Sequence, residues 1–498
     1  MKTLGLILSA TLAAASTPAL AEPVKLKTAQ GVLVGDATER ANIFKAVPYA
    51  APPVGALRWA PPQPAKPWKG ERPAAANGPS CMQVMNADGS PNGGSANGPM
   101  SEDCLQLNVF APKSGKKAPV MVWIHGGSYR EGAGWVYDGQ NFARDGVVLV
   151  AINYRLGPLG TFAHPALTKA AGPKAPLGNY AVMDQIAALQ WVKKNIAAFG
   201  GDPANVTVFG ESAGGGATLQ LLATPQARGL FARAVVQSGG GWGEARTLAE
   251  KEAEGVKAAQ ALGLSAQATP AELRALPAEK LVALPGGSGP FVDGRLVVQS
   301  PARAFAAGRE LDVPLIIGAN SGEDSLMARG LDAKAAAAAL SEPLKAAYAA
   351  EAQAGDERLV RAAMGDRAFV APARWIAAQA ADGAPSWLYH FSYVGSRFRP
   401  MGITTAAHAA EIQYVFEYWG RRTPLSMVAA DDKAMATLMH SCWVAFARTG
   451  TPACASGPAW PAYDKAKDQL MEFGAESGVR AQFRKAQLDA QEAEAGPR

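Results

Sequence analysis

Ser212 stands in Gly210-Glu211-Ser212-Ala213-Gly214. The β-branched and aromatic run Asn205-Val206-Thr207-Val208-Phe209 precedes it, and the helix-forming run Ala217-Thr218-Leu219-Gln220-Leu221-Leu222 follows. A serine on a sharp strand-to-helix turn is a nucleophile elbow: glycine two residues before and after lets the turn close and raises the hydroxyl above the sheet edge. A hydroxyl attacks poorly at neutral pH. It needs a base, an acid to orient the base, and donors for the oxyanion. On a strand–elbow–helix scaffold the chain order is serine, acid, histidine. The sequence has five histidines. His125 and His164 precede Ser212, His390 lies in a strand pattern, and His440 falls mid-helix. His408 follows the mostly small-residue loop Gly402 to Ala407 and is the candidate base. The loop after Leu315 to Gly318 reads Ala319-Asn320-Ser321-Gly322-Glu323-Asp324-Ser325 and offers two acids, Glu323 and Asp324, which spacing does not separate. Oxyanion donors are expected from the Ala213 N–H and from the glycine-rich stretch His125-Gly126-Gly127-Ser128-Tyr129. Each donor is worth about 3 kcal/mol in the transition state.

These residues need a scaffold that presents several loops at one edge. Val24 to Leu26, Gly31 to Val34 and Ile43 to Val47 read as short edge strands. Leu105 to Phe110 alternates like a strand, while Val120 to Ile124 and Val147 to Ile152 are unbroken apolar runs, as in strands buried on both faces. Residues 179–198 carry apolar groups at helical spacing. Further strands are expected at Ala234 to Gln237, Pro314 to Gly318, Trp387 to Tyr393 and, as the last, Gln469 to Phe473; a long helix is expected over 430–448. The alternation predicts an α/β fold with a mostly parallel, mixed sheet and helices on both faces. The alanine- and leucine-rich segments 244–283 and 333–382 read as inserted helices. From Gln487 on, the polar end is expected to fray.

With 498 residues, 48% hydrophobic and 18% charged, the chain can bury a large core. Lys2, the apolar stretch Leu4 to Ala15 and Ala19-Leu20-Ala21 make residues 1–21 a signal peptide by pattern, leaving one domain over 22–498 in the periplasm or outside the cell. No segment is long enough for a transmembrane anchor. The net charge of +6 is mild and scattered, which argues against nucleic-acid binding. Cys81 and Cys104 bracket a Gly/Ser/Asn/Pro-rich segment that a bridge would close. Cys442 and Cys454 flank a helix end and either pair or remain thiols. There is no HExxH, zinc-type CxxC pair or P-loop, so no cofactor or metal is expected.

Taken in order, Phe44 to Pro53 with Leu57-Arg58-Trp59, Ser101-Glu102-Asp103-Cys104-Leu105, Trp123-Ile124-His125-Gly126-Gly127, Asn153-Tyr154-Arg155, Gly178-Asn179-Tyr180 with Asp184-Gln185, Phe199-Gly200-Gly201-Asp202-Pro203, Gly210 to Gly215 and Gln237-Ser238-Gly239 resemble the type-B carboxylesterases. That group includes para-nitrobenzyl-type esterases, mammalian carboxylesterases and cholinesterases. The resemblance implies an α/β-hydrolase fold and hydrolysis of small-molecule carboxylic esters through an acyl-enzyme. It implies Ser212 as nucleophile, Glu323 rather than Asp324 as the acid, His408 as base, Gly127, Ser128 and Ala213 as oxyanion donors beside Gly126, and a Cys81–Cys104 disulfide. Ser128 and Asp324 depart from the family's commoner small residues. Cholinesterases carry a cation-binding tryptophan in the loop closed by this disulfide; residues 82–103 hold no aromatic, which disfavours choline esters. Tyr129, Glu211 and Trp242 are candidate pocket residues. An amidase or carbamate hydrolase on the same triad, or a non-catalytic esterase-like binding module, are the alternatives. Oligomeric state is not read from the sequence.

Overall fold

The computed structural model describes residues 22–243, 245–286, 288–327 and 330–496. The expected signal peptide, 1–21, lies outside the described residues. A sheet of 13 strands runs through the molecule. Its main members are β1 (Glu22–Lys27), β2 (Val32–Ala37), β3 (Asn42–Pro48), β4 (Gln106–Ala111), β5 (Ala118–Ile124), β6 (Val148–Ile152), β7 (Gly201–Glu211), β8 (Arg233–Gln237), β9 (Leu315–Asn320), β10 (Ser386–Phe391), β11 (Gln469–Phe473) and β12 (Gly478–Ala481). The spatial order is β1-β2-β3-β4-β6-β5-β7-β8-β9-β10-β11-β12, with Glu71–Pro73 beside β2. From β6 to β11 every neighbouring pair is parallel; both edges are antiparallel.

Period-two alternation divides the core. Val120, Val122, Ile124, Val208, Val236 and Ile317 face one side, against helices that include α1 (Tyr180–Asn195) and α2 (Ala213–Leu222). Met121, Trp123, Phe209, Val235 and Ile316 face the other, against Met439, Trp443 and Phe446. A strand sandwiched by helices presents apolar side chains to both faces, which is why β5 and β6 read as unbroken runs.

The helical insertions hold α3 (Leu248–Ala261), α4 (Asp356–Gly365) and α5 (Ala371–Ala380), before α6 (Ala430–Thr449). A π-helical turn, Asp366–Val370, joins α4 to α5. Two sequence expectations fail at the C-terminus. Gln469–Phe473 is not the last strand, because β12 pairs antiparallel with it. The polar end does not fray from Gln487: it forms α7 (Lys485–Ala495). Leu488 is buried there, Gln491 Nε2 donates to the Ala363 carbonyl at 2.8 Å, and Arg374 grips Asp489 and Glu492 at 2.8 and 3.0 Å. The polar residues are spent on distant partners, which local composition does not show. Both cysteine pairs are bridged, Cys81–Cys104 and Cys442–Cys454.

Candidate active site

The carboxyl ends of parallel strands share one edge, where ligands bind in open α/β sheets. Here β5 leads into Gly126–Tyr129, β7 into Ser212, β9 into Glu323 and β10 into the loop that ends at His408. The register aligns Ile124 with Gly210, Gly210 with Val236, Val236 with Ile317 and Ile317 with Leu388, so the four loops leave at one level.

Ser212 has φ 57° and ψ −123°. L-residues seldom adopt this region, at a cost of about 1–3 kcal/mol. The turn is held by the Ser212 N–H on the Gln237 carbonyl at 2.9 Å and the Gly216 N–H on the Ser212 carbonyl at 2.8 Å. Glycine is required by close approach: a Cβ on Gly214 would lie 2.0 Å from the Ile124 oxygen, and one on Gly210 would lie 2.5 Å from Gly214.

His408 Nδ1 lies 2.5 Å from Glu323 Oε2. Glu323 is buried, and its other oxygen accepts from Ser238 Oγ at 2.6 Å and the Asn320 N–H at 2.7 Å. Asp324 is held instead by its carbonyl, on Arg361 Nη1. The acid and histidine loops are laced together: Gly322 N–H donates to the Ala406 carbonyl at 2.8 Å, His408 N–H to Ser325 Oγ at 2.9 Å, and Asn320 Nδ2 to the Ala407 carbonyl at 2.9 Å.

His408 Nε2 lies 3.0 Å from Glu211 Oε1, skewed enough that neither atom completes a hydrogen bond. The Ser212 hydroxyl makes no hydrogen bond among the described residues. Burial alone would lower the His408 pKa, but the carboxylates of Glu211 and then Glu323 outweigh it and hold the pKa up at about 11. A carboxylate beside each ring nitrogen favours the imidazolium.

The oxyanion candidates come to the same place. A Cβ on Gly126 would lie 3.1 Å from Ser212 Cβ, and one on Gly127 would lie 2.1 Å from the Glu131 oxygen. Gly127, Ser128 and Tyr129 run through φ 107°, 55° and 56°. The N–H groups of Gly127, Ser128 and Ala213 donate to no backbone carbonyl among the described residues. Three unspent donors beside a strained serine can receive an oxyanion.

Tyr129 lines this region: its hydroxyl would sit 3.3 Å from a Cβ on Gly216, one turn into α2. Trp242 packs with Phe369, Val370 and Ala371, under the Arg367 guanidinium at 5.2 Å, and the Phe369 ring lies 5.1 Å from that of His408. Phe369 escaped the sequence reading because nothing local ties residue 369 to residue 408.

The other histidines lie in structural surroundings. His125 Nδ1 lies 2.8 Å from the Gly126 carbonyl and its ring stacks on Tyr154; burial pushes its pKa down to about 4. His164 caps a helix by accepting from the Ala166 N–H at 3.2 Å. His390 is buried in β10, and burial lowers its pKa to about 4. His440 joins the Val415 carbonyl at 2.7 Å and Asp145 at 3.0 Å. Asp145, Glu417 and His440 place ligand atoms within 4.8 Å of one another. Arg144 already spans the two carboxylates at 2.5 and 2.7 Å, so this cluster is a cross-brace between loop and helix.

Ser238, Asn320 and Glu411 also belong to the site. The sequence signal for Ser238 was its place in Gln237-Ser238-Gly239, and for Glu411 its place three residues after His408.

A mostly parallel sheet with helices on both faces, a serine elbow after β7 and an acid–histidine pair on the loops after β9 and β10 define an α/β hydrolase. Residues 22–491 match the carboxylesterase family, and the chain belongs to that family of carboxylic ester hydrolases. It is 36% identical over 464 residues to the fumonisin B1 esterase of Sphingopyxis macrogoltabida, covering 87% of this chain and 84% of that one. It is 34% identical over 471 residues to the para-nitrobenzyl esterase of Bacillus subtilis, covering 88% and 92%. Among solved structures, a PNB esterase superposes with a TM-score of 0.80 at 31% identity, covering 93% of this chain and 99% of that one. The Geobacillus stearothermophilus carboxylesterase superposes at 0.78 with 32% identity, covering 94% and 99%.

Proposed function

We propose that this chain cleaves small-molecule carboxylic esters through an acyl-enzyme on Ser212. The observation that carries the reading is the His408–Glu323 contact at 2.5 Å, on loops laced together beside the elbow. Ser212 Oγ attacks the ester carbonyl as His408 Nε2 takes its proton. Glu323 keeps the ring oriented and stabilises the imidazolium. The N–H groups of Gly127, Ser128 and Ala213, with Gly126 giving room for the approach, receive the oxyanion. His408 then protonates the leaving alcohol, and water, deprotonated by the same nitrogen, releases the acid. Before the first transfer Nε2 must turn from Glu211 toward the Ser212 hydroxyl, an adjustment of the kind substrate binding completes. The relatives' names, fumonisin B1 esterase and para-nitrobenzyl esterase, support ester cleavage.

The test is hydrolysis of short p-nitrophenyl esters and matching anilides by wild type and Ser212→Ala. Ester turnover lost in the variant is expected. Turnover that survives Ser212→Ala refutes the mechanism; turnover of anilides alone refutes the ester assignment.

We infer further that residues 1–21 are cleaved and that residues 22–498 act as one domain in the periplasm or outside the cell. Two disulfides support an oxidising compartment. Sequencing the N-terminus of protein from the native host is expected to begin at Glu22; a chain retaining Met1 or Lys2 refutes this.

A further inference from the structure

The proposed mechanism leaves Glu411 unused, although the side chain is buried in the midst of the site. Oε1 accepts from Gln237 Nε2 at 2.9 Å and Oε2 from Asn320 Nδ2 at 2.6 Å. Both donors are themselves tied to the site. The Gln237 carbonyl holds the Ser212 N–H, and Gln237 Oε1 accepts from Trp443 Nε1 at 3.1 Å, which fixes the amide with its NH2 toward Glu411. The Asn320 N–H holds Glu323 at 2.7 Å, and Asn320 Nδ2 also holds the carbonyl of Ala407, the residue before His408. One carboxylate therefore reaches the nucleophile through Gln237, the acid through Asn320, and the backbone just before the base through Asn320 and Ala407.

Several groups face it. Glu211 comes from the end of β7, Glu323 from the loop after β9 and Tyr389 from β10. The Tyr389 hydroxyl has no hydrogen-bond partner among the described residues and lies in the field of Glu411, Glu323 and Glu211. Glu211 and Glu323 are the two carboxylates that flank His408. Burial first, and repulsion by Glu211 next, push the Glu411 pKa up to about 7. Both its oxygens nevertheless face N–H donors, an arrangement that suits the ionised carboxylate.

We propose that Glu411 is a positioning residue for ester cleavage, binding the elbow, the acid loop and the histidine loop into one unit and adding its charge to the field in which His408 works. This rests on the assignment of Ser212, Glu323 and His408 above. Hydrogen bonds to the residues behind a reacting group keep it within a fraction of an ångström of productive geometry.

Glu411→Gln tests it. Glutamine keeps the volume but removes the charge, and turns an NH2 toward one of two N–H donors. The folded variant, checked by its melting curve, is expected to lose about 10- to 100-fold in kcat with KM within about 2-fold. The acid limb of its kcat/KM profile is expected at lower pH, and Glu411→Asp is expected to restore part of kcat and the original limb. Wild-type kcat and profile in Glu411→Gln overturn the proposal, as does a fall in kcat with the limb unmoved. If Glu411→Gln does not fold, Gln237→Met removes one hydrogen bond and leaves the charge; a fall of about 10-fold in kcat is expected, and wild-type kcat overturns the proposal. The rate at which a fluorophosphonate labels Ser212 is measured in parallel. A wild type that labels but cleaves no ester refutes the ester reading, and the labelling rates of the variants then decide on Glu411. A wild type that does not label overturns both.

Discussion

His408 rests between two carboxylates, and this sets its charge at rest. A ring with Nδ1 on Glu323 and Nε2 beside Glu211 gains most when both nitrogens carry protons. An imidazolium cannot act as a base, so turnover depends on losing that proton. With the folded pKa raised above the ordinary 6.5, the acid limb of kcat/KM is expected above 6.5, giving an enzyme that gains activity into the alkaline range. Glu211→Gln removes the larger carboxylate effect and is expected to move the limb to lower pH; a wild-type limb below 6.5, or one that Glu211→Gln leaves in place, contradicts this. The linkage has a definite sign. The raised pKa stabilises the fold fully below 6.5, and that contribution is lost as pH rises toward about 11. Glu323→Gln removes the charge that orients the ring and stabilises the imidazolium, and is expected to cut kcat by about 10³- to 10⁴-fold at similar KM, measured on a p-nitrophenyl ester.

At the scale of elements, the site is four loops held at one level by parallel register and by braces beneath them. Arg155, just past β6, grips Asp184 of α1 with Nε and Nη2 at 2.8 and 2.7 Å, and both side chains are buried. Arg58 likewise grips Glu102 beside the Cys81–Cys104 bridge. The motif residues Arg58, Glu102, Arg155 and Asp184 are thus structural. Asp184→Asn leaves a buried guanidinium without its charge partner and is expected to cost about 3–5 kcal/mol, read from the denaturant midpoint. The ester KM of the folded fraction is expected to stay at the wild-type value; an unchanged midpoint contradicts the brace. The pattern of apolar runs placed β5 to β11 well, because strands buried on both faces advertise themselves. It missed β12, a short strand of mixed burial that pairs with the adjacent β11, and α7, where polar side chains are satisfied by partners far along the chain.

Over the whole molecule, two disulfides staple regions on opposite sides of the sequence. On the chain-entropy estimate, removing Cys81–Cys104 costs about 3.5 kcal/mol and removing Cys442–Cys454 about 3 kcal/mol. Paired serine substitutions are expected to lower the melting temperature in both cases. Alkylation of denatured, unreduced protein is expected to add no mass; two adducts would contradict one bridge. The second bridge was open in the sequence, since a separation of 12 residues across a helix end suits a bridge or two thiols equally well until the helix and turn are placed.

The sequence by itself determined the elbow and the α/β layering. A turn's stereochemistry is written in adjacent residues, and burial on two faces is written in the periodicity of a single run. Chain order and loop composition narrowed the base to His408, and motif resemblance preferred Glu323 over Asp324. Only the tertiary structure decided that Glu323 faces the ring while Asp324 is held by its carbonyl, that Glu211 shares His408 with the elbow, and that Glu411 joins all three loops. Those contacts link residues far apart in the chain, and their distances follow from how helices and strands pack, which no local pattern encodes.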